Sequence, residues 1–331
     1  MQSKEKNENY FMVDLFAGCG GLTLGFVQND FVIADTIEFW KPAIETYNYN
    51  FKKNVVPRDI TDENVRNEIE NKWKNKADIV IGGFPCQGYS MAGKRSVDDS
   101  RNQLYKYTID MIKKIQPNVA VLENVKGILS FKEKDGILVT EKIIKLLRSI
   151  GYYARYTLVD SSKFGVPQKR ERVIFVVAKS ENATKVNKAI EKINNYNEKL
   201  VTVRDAISFL EDENEAIDNN HIFSNHSEAM INKISKLKEG ESLYNNYSDA
   251  FKRIYYDKPS PTIKENHGGV HIHPKLNRVL TPREMALLQS FPNNFKFLGT
   301  KSNILKQIGN AVPVKLSYTI AKIIKETFYG N

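Results

Sequence analysis

Apolar and polar positions along the 331 residues follow two alternating rhythms. Short, mostly apolar runs at residues 10–16, 31–39, 77–81, 118–125 and 173–178 are bounded by turn formers and predict buried strands. Segments with helical apolar spacing lie between them: one opening at the glycines after Phe16, a charged one reaching Lys76, one over 103–115, and one from about 138 to 150 before Gly151. VVPRDI predicts a further short strand ending at Asp59. Residues 152–160 and 173–178, joined by a polar turn, predict a hairpin-like pair. Strands alternating with helices predict an α/β domain with a mostly parallel sheet.

From about 180 to 277 the chain becomes polar and asparagine-rich, without long apolar runs, and predicts a smaller second domain opening with a helical linker. The last segment, VPVKLSYTIAKIIKETF, is strongly amphipathic, with Pro313 suited to its first turn. Its apolar side, Val314, Ile320, Ile323 and Ile324, needs a larger core than the polar region offers, so the chain is expected to return to the first domain.

Candidate chemistry falls at strand ends. AGCGGLTLGF is a glycine-rich turn opening a helix, a place where a ligand approaches backbone amides. Gly18 and Gly20 fit the dinucleotide fingerprint, but Thr23 occupies its third glycine slot. Glu38 follows Gly18 by 20 residues at the end of the second strand, where an acidic residue bonds ribose hydroxyls in nucleotide-binding domains. GGFPCQGYS ends the strand at 77–81 sharply and sets Cys86 at its carboxyl end, as a candidate nucleophile or a packing thiol. Glu123 ends the strand 118–125 on the same edge, and a carboxylate there needs a partner. Arg170 and Arg172 alternate with Glu171 before the strand at 173–178, which places both on one face. The polar, basic MAGKRSVDDSRNQ reads as a loop closing on a substrate.

Composition narrows these readings. A formal net charge of +10 favours a polyanionic partner such as nucleic acid. Two cysteines, Cys19 and Cys86, argue against a disulfide scaffold and fit a reducing, cytoplasmic setting; no segment has the apolar length of a membrane span. All five histidines, His221, His226, His267, His271 and His273, follow residue 220, which weakens a Cys–His hydrolase centred on Cys86. HGGVHIH lacks the ligands of a closed metal site and reads as a surface strand, so no metal is expected.

Taken in order, DLFAGCGG, Glu38, Asp59, GGFPCQGYS, ENV, QKRER, RVLTPRE and QIGNAVP resemble the bacterial DNA (cytosine-5)-methyltransferases of type II restriction-modification systems. The resemblance covers most of the chain outside about 180–260. It implies a Rossmann-like, S-adenosylmethionine-dependent methyltransferase domain at 1–180 and 305–331, with a smaller irregular target-recognition domain at 181–304. It implies Cys86 as the nucleophile on cytosine carbon 6, Glu123 at the ring N3 and amine, Arg172 at O2 and Arg170 in support.

For S-adenosylmethionine the resemblance implies Phe16, Ala17, Gly18, Gly20 and Gly21 on the methionine side and Glu38 at the ribose. Phe39, where tryptophan is common, would stack on adenine, flanked by Asp59 and Ile60; Leu104, Pro85 and Asn310 complete the pocket, with Ala311 where serine is frequent. The duplex base must be turned out to reach Cys86. This brings Gln87, Ser90, Lys94, Arg95 and Arg101 to the DNA, with Thr262, Lys264, Asn266 and His267 in the target-reading loop. A cognate restriction endonuclease and a monomeric state are further expectations. An RNA cytosine-5 methyltransferase, or a DNA-binding protein that has lost catalysis, remain the alternatives. A nicotinamide dehydrogenase would leave Cys86 unexplained.

Overall fold

The computed structural model describes residues 9–85, 103–244, 251–264 and 271–330. In chain order, β1 (Tyr10–Leu15) leads into α1 (Gly21–Val27), β2 (Phe31–Ile37), α2 (Lys41–Phe51), α3 (Glu63–Trp73) and β3 (Ile79–Gly82). Next come α4 (Leu104–Ile115), β4 (Val119–Val125), α5 (Val139–Ser149), β5 (Tyr152–Asp160) and β6 (Glu171–Lys179). The remaining helices are α6 (Ala183–Asn195), α7 (Val203–Ile207), α8 (Glu228–Ser235), α9 (Pro282–Leu288), α10 (Lys301–Asn310) and α11 (Val314–Phe328). The strands form one sheet in the order β2-β1-β3-β4-β6-β5. β2, β1, β3 and β4 run parallel, and β6 is antiparallel to both β4 and β5.

The central strands are apolar on both faces because helices cover both. Met12, Ile79, Val121 and Ile174 face a cluster shared with α1, α6 and α11. Val13, Val80, Ala120 and Phe175 face a second cluster under α4 and α5. α11 therefore returns to the sheet, with Ile320, Ile323 and Ile324 buried there, and Pro313 caps it from just outside. β1 has neighbours on opposite sides, so the carboxyl ends of β1 and β3 open the crevice where ligands bind in such sheets.

Three expectations need correction. VVPRDI forms no strand: Pro57 has no N–H to give a ladder, and Asn48 instead holds both Val55 N–H and C=O, at 2.8 and 2.9 Å. The helical linker expected to open the second domain is α6, whose Val186, Ala189, Ile190 and Ile193 pack in the sheet's own core. His271 and His273 do not lie on a surface strand, for both are buried.

His273 accepts the N–H groups of Lys275 and Leu276 on Nδ1, and burial pushes it down to about 4, so it is a neutral turn-holding group. Beside it, Arg278 pairs bidentately with the buried Glu284 at 2.7 and 2.8 Å, and Glu284 closes a capping box with Thr281 on α9. Arg253, also buried, donates to the carbonyls of Ile234, His273 and Pro274 beside a small apolar cluster of Ile234, Ile272 and Val279. The apolar cluster of this region, with Phe291, Phe295 and Phe297, reaches Cys19 in the glycine turn.

The contact of α1 with α11 is tight enough to test. A methyl group added at Gly25 would lie 2.3 Å from the Tyr318 backbone nitrogen. Gly25→Val should therefore cost about 3 kcal/mol or more of stability through overpacking, measured by urea denaturation. A loss below about 0.5 kcal/mol would contradict this packing.

Candidate active site

The turn after β1 is built from backbone that few residues adopt. Phe16 has φ of 60°, and its N–H and that of Ala17 both donate to Ile37 O, at 2.9 and 3.3 Å. Gly20 caps α1 with φ of 95° and lies against the Phe51 ring. Gly21 meets the other end of the chain, where an added methyl would sit 2.5 Å from Val312 O. Gly18 faces open space, with nothing within 4 Å of an added methyl.

Glu38 organises the opposite wall. Its Oε2 accepts the Gly18 N–H at 2.8 Å, and its Oε1 accepts those of Phe39 and Trp40 at 2.9 and 2.8 Å. Burial pushes this carboxyl up, and the three amides oppose that. The Phe39 ring stands 65% exposed beside it. An open space over Gly18, an anchored carboxylate and an exposed aromatic ring suit a nucleoside with an attached chain. Phe16, Ile60 and Leu104 gather in the apolar cluster beneath, while Ala17 packs on the other face of the sheet. Asp59 is exposed and accepts its own loop's Thr61 N–H at 2.8 Å.

The second half of the site lies on β4 and β6. Glu123 stands opposite Ile174 and Arg172 opposite Val125, so the two are diagonal neighbours on one face. Arg172 Nε donates to Glu123 Oε1 at 2.7 Å. Burial still holds the Glu123 carboxyl above the usual range, against the pull of Arg172 and Arg170. Such a group keeps a proton more readily than an ordinary glutamate and can present it to a base ring. Glu123 Oε2 lies against Gly83, 3.1 Å from where a methyl would be. Asn124 Nδ2 donates to Phe84 O at 3.0 Å and fixes the chain just before Pro85.

Arg170 is buried, and its guanidinium donates to Ile263 O, Gly309 O and Ala311 O at 2.7, 2.8 and 3.3 Å. Gln168, also buried, accepts the Ile263 N–H and donates to Gln289, whose amide reaches Ile308 O. Together they tie the sheet to the segment carrying Thr262 and Lys264 and to the turn carrying Asn310. Asn310 is exposed at the end of α10, and Thr262 donates to Lys169 O at 2.8 Å. Cys86, Gln87, Ser90, Lys94, Arg95, Arg101, Asn266 and His267 lie outside the described residues. Burial pushes the Cys19 thiol up to about 12, which leaves it protonated and unreactive.

A cavity of about 830 Å³ beside Phe31, Ile33 and Phe51 lies at the amino end of β2 and holds none of these residues. Among the described residues no His, Cys, Asp and Glu group has the arrangement to hold a metal, and no helix is long and apolar enough to cross a membrane.

The order of the sheet, with β6 antiparallel between β4 and β5, defines an α/β methyltransferase fold. The family model for C-5 cytosine-specific DNA methylase matches residues 10–326. The type II methyltransferase M1.HphI of Haemophilus parahaemolyticus is 36% identical, over 94% of this chain and 86% of that one. A crystal structure provisionally assigned as a prophage DNA modification methyltransferase from E. coli is 26% identical, with a TM-score of 0.78 over 96% of this chain and 99% of that chain. S. pombe Dnmt2 shares the fold at 18% identity, with a TM-score of 0.68 over 96% of this chain and 99% of that one. The chain belongs to the C-5 cytosine-specific DNA methylase family and is a cytosine-5 DNA methyltransferase.

Asp14 carries no marker in the sequence beyond its place in DLFAGCGG. It is fully buried on β1 and accepts the Thr23 hydroxyl, while its Oδ1 has no partner among the described residues. Thr23, which breaks the dinucleotide fingerprint, thus ties the glycine turn's helix to the strand. Burial pushes the Asp14 carboxyl up to about 7, and the nearby Glu38 carboxylate adds to the shift. Between the ordinary carboxylate range and that value, the folded chain holds a proton that the unfolded chain has released. Stability from this group is present at low pH and falls as pH rises. Asp14→Asn should therefore remove a loss on the order of 2 kcal/mol between pH 5 and pH 7, read from urea midpoints at both values. An unchanged pH dependence would show that Asp14 is already ionised.

Proposed function

We propose that the protein methylates carbon 5 of a cytosine turned out of a specific duplex DNA sequence, through a Cys86 adduct at carbon 6, with S-adenosylmethionine as methyl donor. The observation that best supports this reading is the Glu123–Arg172 pair at 2.7 Å, set against Gly83 three residues before Cys86. As the Cys86 thiolate bonds to carbon 6, electron density moves into the ring and carbon 5 becomes enamine-like. Glu123 offers a proton at N3 and meets the exocyclic amine, and Arg172 holds O2. Once carbon 5 has taken the donor's methyl group, leaving S-adenosylhomocysteine, loss of the carbon-5 proton to solvent, elimination of the Cys86 thiolate and return of the N3 proton to Glu123 would restore the aromatic ring. Arg170 would support the site by tying the start of β6 to the backbone of Ile263, Gly309 and Ala311.

S-adenosylmethionine, when bound, supplies an electrophilic methyl group. Glu38 would hold its ribose and Phe39 its adenine, between Asp59 and Ile60. Phe16, Ala17, Gly18, Gly20 and Gly21 would wall its methionine side, with Pro85, Leu104 and Asn310 completing the pocket. The net charge of +10 supports the duplex as substrate. Gln87, Ser90, Lys94, Arg95 and Arg101 would follow the target strand, and Thr262, Lys264, Asn266 and His267 would read sequence. In this reading residues 181–304 serve target recognition, and 1–180 with 305–331 serve catalysis. The enzyme acts as a cytoplasmic monomer beside a restriction endonuclease of the same specificity.

Two experiments test the reading. Duplex DNA of varied sequence containing 5-fluorocytosine, incubated with enzyme and S-adenosylmethionine, should yield a covalent adduct on denaturing gels, absent with Cys86→Ala. Adducts with RNA alone would move the substrate to RNA, and no adduct with either would defeat the covalent route. Phe39→Ala should weaken S-adenosylhomocysteine binding about tenfold or more through lost stacking, measured by calorimetry. Unchanged affinity would remove Phe39 from the pocket.

A further inference from the structure

α10 passes along the mouth of the crevice, and three contacts fix its position. The Cys19 thiol, in the glycine turn, donates to Gln307 O at 3.7 Å. Gly21 packs against Ala311 and Val312, just beyond the helix. Lys306 Nζ stands 4.9 Å from the centroid of the Trp40 ring. Lys306 and Asn310 are four residues apart and share one face of α10. On that face Lys306 reaches Trp40, two residues past Glu38, while the neighbouring Gln307 meets the glycine turn.

The half-buried Lys306 has no ion pair among the described residues. The Glu38 oxygens accept the N–H groups of Gly18, Phe39 and Trp40 and form no ion pair with Lys306 among the described residues. Asp35, the next acid along, is held by Arg58 and the Trp73 indole. An ammonium carries three donors, and an aromatic face satisfies only the side turned toward it. The Trp40 ring thus steadies the lysine stem and leaves the charge available at the rim. This is a cation already in place for an anion entering the crevice.

We propose that Lys306 is the counter-charge for the carboxylate at the amino-acid end of S-adenosylmethionine. The proposal rests on the reading that the crevice takes this molecule with its adenosine end at Glu38 and Phe39. The carboxylate is then the ligand's only anionic group, and its place beside the glycine turn is the side on which α10 lies. Lys306 acts in binding and takes no part in the transfer.

Calorimetry on the full chain separates a charge partner from a packing residue. The probes are S-adenosylhomocysteine, which has the carboxylate, and decarboxylated S-adenosylmethionine, which lacks it. Lys306→Gln should weaken the first about tenfold, leave the second unchanged, and lose nothing when replaced by Lys306→Arg. Equal weakening of both ligands would assign Lys306 to packing alone and overturn the proposal, as would unchanged affinity for both. Failure of the wild-type chain to bind either ligand would refute the reading of the crevice itself, and the proposal with it.

Discussion

A carboxylate and a guanidinium meet away from water at the end of the sheet, and the rest of the molecule is arranged to keep them there. Glu123 and Arg172 come together because β6 runs antiparallel to β4 in a register that makes them diagonal neighbours. A one-residue slip would turn every β6 side chain to the other face and separate them. The apolar runs on both strands, buried on both sides, therefore fix a chemical distance as well as a core. Such a pair adds little to stability, since desolvation offsets the attraction. Its place, against Gly83 and ahead of Cys86, sets a carboxyl raised by burial beside a guanidinium donor.

Around that pair the chain closes on itself. Residues from both ends meet at the glycine turn: Gly21 against Val312, Gly25 against Tyr318, and Cys19 against Gln307. Arg170, Gln168 and Gln289 join the sheet to the 261–264 segment and to the turn after α10 through buried hydrogen bonds. Every partner is a backbone carbonyl, a backbone amide or a second glutamine. The connection is therefore specific in geometry without any net charge beyond that of Arg170. The sheet, the 261–264 segment and the turn after α10 thus share one buried hydrogen-bonded seam.

Much of this was legible in the residues. Short apolar runs ending in glycine or an acid mark strand ends, and the α/β alternation follows from them. Glu38, 20 residues past Gly18, accepts the Gly18 amide itself. The need of Glu123 for a partner followed from the cost of burying a carboxylate, and Arg172 meets it. What escaped was decided by partners distant in sequence. Val55 and Val56 favour a strand, but Pro57 and the Asn48 clamp prevent one. His273 looks like a surface residue until Arg253 and the Arg278–Glu284 pair close over it, and His271 is buried beside it. α6 is polar along half its length, which hid the Ile190 and Ile193 stripe that seats it on the sheet. Asp14 and Lys306 are ordinary charges in sequence, and only the fold shows one buried and the other over Trp40.

The central claim is that these groups direct a methyl group to carbon 5 of cytosine in duplex DNA. It is tested most directly by digesting product DNA to nucleosides and identifying the methylated one by mass spectrometry and chromatography. Duplex DNA of mixed sequence, treated with the enzyme and isotopically labelled S-adenosylmethionine, should yield labelled 5-methyl-2′-deoxycytidine. Label in N4-methyl-2′-deoxycytidine or N6-methyl-2′-deoxyadenosine, or label appearing only when RNA is supplied, would contradict the account.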